Sequence, residues 1–263
     1  MDTLDFINGH INKLIFKISI PLILASSVTI ITQMFNIFLL GHDEQALYVL
    51  SLYIPISFFL TSLIEALQTS NQVVISYQKG SGNNKIHTYI INGFLIGLLV
   101  SIGIGLLVSI GMGLLIFITA PLIADYYHVK DEDRMLFLDY VKWMMVTNII
   151  VILNVIVNSS LRGLGKINIA SILNILFSLS NIALIFFFVY FLKWGLYSII
   201  FSNLISSAAF LLLGFIILIR LNVIPFKKLS LRLESFYLRK LKTVGIPIFL
   251  SYLFIFISTL FFQ

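Results

Sequence analysis

Glu65 is the one carboxylate set well inside an apolar stretch of this chain. Placing an ionisable side chain in hydrocarbon costs roughly 3 kcal/mol on insertion scales, so such a group faces a bundle interior or a water-filled cavity. There it either exchanges protons or stays protonated and hydrogen-bonded to a neighbouring helix, and both readings are open. Amides are more numerous in the same kind of surroundings: Asn36, Asn154, Asn158, Asn174, Asn181 and Asn203. Each suits interhelical hydrogen bonding, and collectively they can line a polar cavity. A third pattern is Gly93, Gly97, Ser101, Gly105, Ser109 and Gly113, a small residue at every fourth position. That spacing marks one helix face, for close packing or for a sliding surface. Pro21 and Pro247 stand near the starts of two apolar stretches and invite a kink or hinge there.

Other chemistry is missing. Gly165 and Lys166 lack the spacing and the following Ser or Thr of a phosphate loop, and neither a nucleophile elbow nor a zinc-protease motif occurs. His10, His42, His87 and His128 are scattered among loops and flanks, and there is no cysteine. The chain is therefore read as a non-enzyme without a metal site or a cofactor.

The elements that carry these residues follow from composition. Hydrophobic residues make up 59% of the chain and charged residues 11%, where a soluble domain has about 25% charged. A membrane helix needs about 20 apolar residues, because irregular backbone is too costly in lipid. Seven stretches qualify: Ile18 to Leu40, Ala46 to Tyr77, Thr88 to Pro121, Phe137 to Leu161, Ile167 to Leu192, Trp194 to Ile219, and Thr243 to Gln263. The first is too long, and lacks the small-residue cleavage site, for a removable signal peptide. The fold class is thus an all-α integral membrane protein.

Lys and Arg in the connecting loops divide 13 to 4 between the two sides when the stretches alternate strictly. The positive-inside rule then places the N-terminus in the cytoplasm of a multi-pass protein of the cell membrane. The same charges explain the net +6 without nucleic acid. Asn222 to Lys242 is polar, basic and contains Pro225, and reads as a cytoplasmic linker whose cations can also meet anionic membrane lipid. Asp125 to Asp139 reads as an acidic outer loop, and Lys193-Trp194-Gly195 as a tight outer turn with an aromatic interfacial anchor.

An internal repeat orders these segments. Lys17-Ile18-Ser19-Ile20-Pro21-Leu22-Ile23-Leu24 matches Thr243-Val244-Gly245-Ile246-Pro247-Ile248-Phe249-Leu250 at an offset of 226 residues. Duplicated bundles are the usual build of secondary transporters. Residues 1–221 are therefore expected to form a six-helix lobe, 222–242 a basic linker, and 243–263 the first helix of a second lobe. A lone lobe lacks the partner to rock against, so a second copy, a separately encoded half or a continuation of the chain is expected to supply it.

Three patches stand out: Ile20-Pro21-Leu22-Ile23-Leu24 through Asn36-Ile37-Phe38-Leu39-Leu40-Gly41, Gln68-Thr69-Ser70-Asn71-Gln72 through Lys79-Gly80-Ser81-Gly82-Asn83, and Leu161-Arg162-Gly163-Leu164-Gly165-Lys166 followed by Asn174, Asn181 and Gly195. Together they resemble one transporter family, the multidrug and toxic compound extrusion (MATE) family. The resemblance implies a secondary active antiporter that exports organic, often cationic, compounds in exchange for H⁺ or Na⁺ by alternating access. It also implies a cation site in the first lobe, whose positions here are Asn36, Asn181, Ile185 and Asn203, with amide or alkyl groups where the family has aspartates. An amide cannot release a proton, which leaves Glu65 as the intramembrane candidate for ion coupling. A flippase for a lipid-linked saccharide is the runner-up. It predicts arginines within the spans for pyrophosphate, and the seven stretches contain none. An inactive half-transporter is the other alternative. A retinal photoreceptor is excluded because the seventh stretch has no lysine.

Overall fold

A computed structural model of the protein describes residues 11–81, 86–103, 131–223 and 234–261, all helix and short turn with no strand among them. The elements are α1 (Ile11–Leu40), α2 (Glu44–Gly80), α3 (Ile86–Gly103), α4 (Asp131–Gly163), α5 (Ile167–Tyr190), α6 (Tyr197–Arg220), the short α7 (Ser235–Lys240), a π-helical turn (Leu241–Gly245) and α8 (Ile246–Phe261). Among the described residues five helices are long and apolar enough to cross a bilayer. A sixth span results if the halves of α2, Glu44–Ile54 and Ile56–Gly80, count as one helix bent by 49°.

The break between the two halves coincides with Pro55 in the sequence, a residue type without a backbone N–H to donate. The two expected hinge prolines both lie within helix. The helix α1 continues through Pro21, and Pro247 sits in the first turn of α8 directly after the π turn.

Neighbouring helices form a continuous series, with α1 against α5, α5 against α6, α6 against α4, α4 against α2, and α8 on the far side of α2. Half of the α3 span and half of the α4 span are buried but only 11% of the α1 span, so α3 and α4 lie inside the bundle and α1 on its rim. Ile23, Met34, Ile37 and Phe38 of α1 stand exposed, a surface suited to lipid.

Helix ends follow local chemistry. Asp43 caps α2 by accepting from the Ala46 amide at 3.0 Å, and Glu44 adds a favourable charge to the first turn. The end of α4 is a Schellman motif. Gly165 adopts φ 73°, and the amides of Lys166 and Gly165 donate to the carbonyls of Leu161 and Arg162, both at 2.9 Å. Asn222, at φ 55°, closes α6 in the same way.

Several boundaries differ from the sequence reading. The helix α4 starts at Asp131, so the second half of the expected outer loop is helical; an acidic opening suits the positive end of a helix dipole. Within the expected linker, residues 235–242 are helical and run without a break into α8. Gly105, Ser109 and Gly113, and the third stretch beyond Gly103, lie outside the described residues.

The helices α2 and α4 approach closely at Gly163, where an added Cβ would stand 2.8 Å from Ile75 Cβ and 2.9 Å from the Gln72 carbonyl oxygen. Backbone cannot yield as a side-chain tip can. Gly163→Ala is expected to cost about 1–2 kcal/mol net, the overpacking penalty outweighing the better helix propensity of alanine. Thermal unfolding in detergent micelles measures it, and an unchanged or raised melting temperature would contradict this packing.

Candidate functional site

The site-bearing helices α1, α5 and α6 bring two of the singled-out amides together. Asn181 of α5 donates from Nδ2 to Asn203 Oδ1 of α6 at 2.9 Å. Asn181 is 1% exposed, and one turn along the helix Ile185 is fully buried. Asn181 Oδ1 and Asn36 Oδ1 are both buried without a protein hydrogen-bond partner. Two buried amide oxygens left unpaired by the protein carry a desolvation cost that a polar solute, a water or a cation can relieve. Amide oxygens can accept hydrogen bonds, but neither these amides nor the Ile185 side chain can bind or release a proton.

A second amide pair lies nearer the linker side. Asn158 of α4 donates to Asn174 Oδ1 and to the Ala170 carbonyl of α5, each at 3.0 Å. Asn154 joins them in lining a cavity of about 10 Å³, room for about one water molecule. Asn158 and Asn174 therefore tie α4 to α5, and Asn154 lines the small polar recess left between them.

Glu65 lies half-buried in α2. Its carboxylate is within electrostatic reach of the Arg162 guanidinium from α4 and of the Tyr252 hydroxyl from α8. Arg162 falls in the last turn of α4, partly buried, with its Nε inside the protein. This amends the sequence reading, which left Arg162 in a loop and no arginine within a span. One arginine facing a carboxylate still falls short of the arginine-rich cavity a pyrophosphate would need.

The densest polar junction was not singled out from sequence. Asn71 of α2 donates from Nδ2 to Ser159 Oγ at 2.7 Å and Ser160 Oγ at 3.1 Å, both in α4, and accepts at Oδ1 from the Tyr237 hydroxyl of α7 at 2.8 Å. The small-residue face makes the room. Gly93 lies against Asn71 and Tyr237, and Gly97 against Ile152 and Ile156 of α4. Ser101 is buried and donates to the Leu98 carbonyl within its own helix. Around the junction, Lys79 Nζ donates to the Leu164 carbonyl at 2.6 Å, and Lys240 Nζ sits over the Tyr77 ring at 5.3 Å. Two signals were available: Asn71 within an otherwise familiar patch, and Phe236-Tyr237-Leu238 as an apolar run inside a basic segment.

Burial pushes the ionisation of the Tyr237 hydroxyl upward. Its folded value lies above the ordinary tyrosine value of about 10, so the unfolded chain releases this proton first and stability falls as pH rises past that value. Tyr237→Phe is expected to lose less stability than the parent between about pH 9 and pH 11. Paired melting curves across that interval test it, and identical slopes would argue against a buried hydroxyl. Among the described residues no three His, Asp or Glu side chains are grouped to hold a metal ion.

Comparison with solved structures agrees with this architecture. A MATE structure in complex with MaD5 superposes with a TM-score of 0.86 at 21% identity, over 99% of this chain and 58% of that one. An outward-facing multidrug resistance MATE transporter of the MOP superfamily gives 0.82 at 22% identity, over 96% and 55%. A MOP superfamily transporter from Pyrococcus furiosus, whose binding pocket is described as having reverse polarity, gives 0.80 at 21% identity, over 99% and 57%. The chain thus spans somewhat more than half the length of the transporters it matches, and at these identities the likeness establishes the fold. No curated protein matches the chain. The MatE family model matches residues 21–187, well over half of the sequence, and with the lobe architecture just described this chain belongs to the MatE family.

Proposed function

We propose that this chain is the first lobe, with the opening helix of the second, of a secondary active carrier that exports organic, often cationic, compounds by alternating access. The observation that carries the reading is the set of amides buried inside a MatE lobe, with Asn36 Oδ1 and Asn181 Oδ1 unpaired within the protein where a solute or ion can be met. The exchange ion is H⁺ or Na⁺, and Glu65 is its coupling residue, since Asn36, Asn181 and Asn203 are neutral and Ile185 is apolar. A second lobe completes the carrier, provided by continuation of the chain, by a second copy or by a separately encoded half. The N-terminus and the linker face the cytoplasm of the cell membrane, consistent with the 13 to 4 division of basic residues.

The test is dye export. Cells lacking their own efflux carriers and expressing the protein are expected to accumulate less of a fluorescent organic cation than control cells. Collapse of the proton or sodium gradient is expected to remove the difference. Equal accumulation with and without the protein, at matched expression in the membrane, would refute the carrier reading and favour an inactive half-transporter.

A further inference from the structure

The contact between the linker and the lobe has the shape of a key in a socket. The hydroxyl of Tyr237, a residue 1% exposed, reaches the Asn71 amide at 2.8 Å between α2, α3 and α4. The socket exists because position 93 is glycine: a Cβ there would stand 2.6 Å from Asn71 Oδ1 and 3.1 Å from the Tyr237 hydroxyl oxygen. Asn71 in turn is held by Ser159 and Ser160 on its amide side, so its oxygen is presented to the tyrosine in one orientation. Phe236 closes over the same place, 5.7 Å from the Tyr77 ring and 5.8 Å from the Tyr89 ring.

The rod that carries this key leads out of the lobe. Residues 235–261 are helical without interruption, from α7 through the π turn into α8, the helix that matches α1 in the internal repeat. A movement of α8 relative to α2 is therefore transmitted to Tyr237. The π turn stands between the two, and such wide turns cluster at functional sites. Tyr237 also packs among Leu67, Val74, Tyr89 and Ile156, and the directional hydrogen bond to Asn71 gives that apolar contact one fixed seat.

We infer that Tyr237, seated on Asn71 and Gly93, is a clasp that fastens the start of the second lobe to the first on the linker side and releases when the carrier opens on that side. The clasp itself is read from this geometry; its place in a transport cycle rests on the carrier reading above.

The chain has no cysteine, so introduced cysteines report without background. Gly80, where an added Cβ meets nothing within 4 Å, and the exposed Arg239 are suitable positions. Spin labels on Gly80→Cys and Arg239→Cys in the membrane-reconstituted protein are expected to show a short and a long distance population. Tyr237→Phe, which removes only the hydroxyl, is expected to raise the ratio of long to short about tenfold, as befits a buried acceptor left unpaired. Gly93→Ala, which fills the socket, should shift it in the same direction. Distances unchanged by both substitutions would overturn the clasp, whatever the transport assay reads. A shift in distances together with absent dye export would keep the clasp and refute the carrier.

Discussion

Glu65→Gln is expected to abolish gradient-driven export while leaving the protein folded and in the membrane. Glutamine keeps the shape and one acceptor oxygen of glutamate but has no proton to exchange and offers a cation only a neutral oxygen. Coupling free energies of 1–3 kcal/mol correspond to a loss of about tenfold or more in accumulation against a gradient. The other polar groups buried at the site cannot take over, because Asn36, Asn181 and Asn203 do not titrate and Ile185 is apolar. Arg162 provides an internal control. It faces Glu65 electrostatically from α4, so Arg162→Leu leaves the carboxylate in low dielectric without its counter-charge, and is expected to impair export while Glu65 remains in place. Export measured in vesicles under an imposed proton or sodium gradient distinguishes the outcomes. An unaltered rate in Glu65→Gln would remove Glu65 as the coupling residue and direct attention to the second lobe.

The largest effect on stability is expected from Asn71→Leu. Asn71 makes hydrogen bonds to Ser159, Ser160 and Tyr237 and so ties α2 to α4 and α7 at one point. Interhelical hydrogen bonds in membrane proteins average about 0.6 kcal/mol by double-mutant cycles. Three of them give about 2 kcal/mol, and the misfit of a branched alkyl group beside Gly93 adds about 1 kcal/mol. The serines lose little, since Ser159 and Ser160 also donate to the Ile156 carbonyl within α4; the stranded group is the Tyr237 hydroxyl. A fall in the midpoint of chemical or thermal unfolding measures the loss. If Asn71→Leu and Tyr237→Phe together destabilise by the full sum of the two single changes, the residues do not share a bond.

How much of this was legible in the chain varies with the range of the interaction. Membrane helices are announced by long runs without charge, and α5 and α6 ended within a few residues of where composition placed them, at Tyr190 and Arg220. The bend at Pro55 was as visible in sequence as Pro21, yet only one of the two coincides with a break between helical segments. Both are prolines within apolar helical stretches, so a local pattern does not separate them.

The site divides in the same way. Counting polar residues in apolar stretches identified Asn181 and Asn203 as well as Asn158 and Asn174, because a buried amide must find a partner somewhere in the bundle. Which amides pair depends on the rotation of α5 against α4 and α6, a property of all the side chains along those helices. Arg162 could not be assigned from sequence, since one residue past an apolar run it can turn outward or fold back inward, and the Schellman turn at Gly165 together with the close approach at Gly163 decided for the interior.

By itself, then, the sequence determined the apolar surroundings, the helical class and the chemical types on hand: one carboxylate well inside an apolar stretch, neutral amides and no cysteine. Those follow from composition and short-range periodicity, which do not depend on how helices are arranged. The tertiary structure alone decided that Glu65 comes within electrostatic reach of Arg162 and Tyr252, that Gly93 is a socket as well as a packing glycine, and that Tyr237 of a basic linker enters the lobe to meet Asn71. Asn71 and Tyr237 lie 166 residues apart. A contact at that separation is set by the joint packing of α2, α3, α4 and α7, and no local pattern in the chain encodes it.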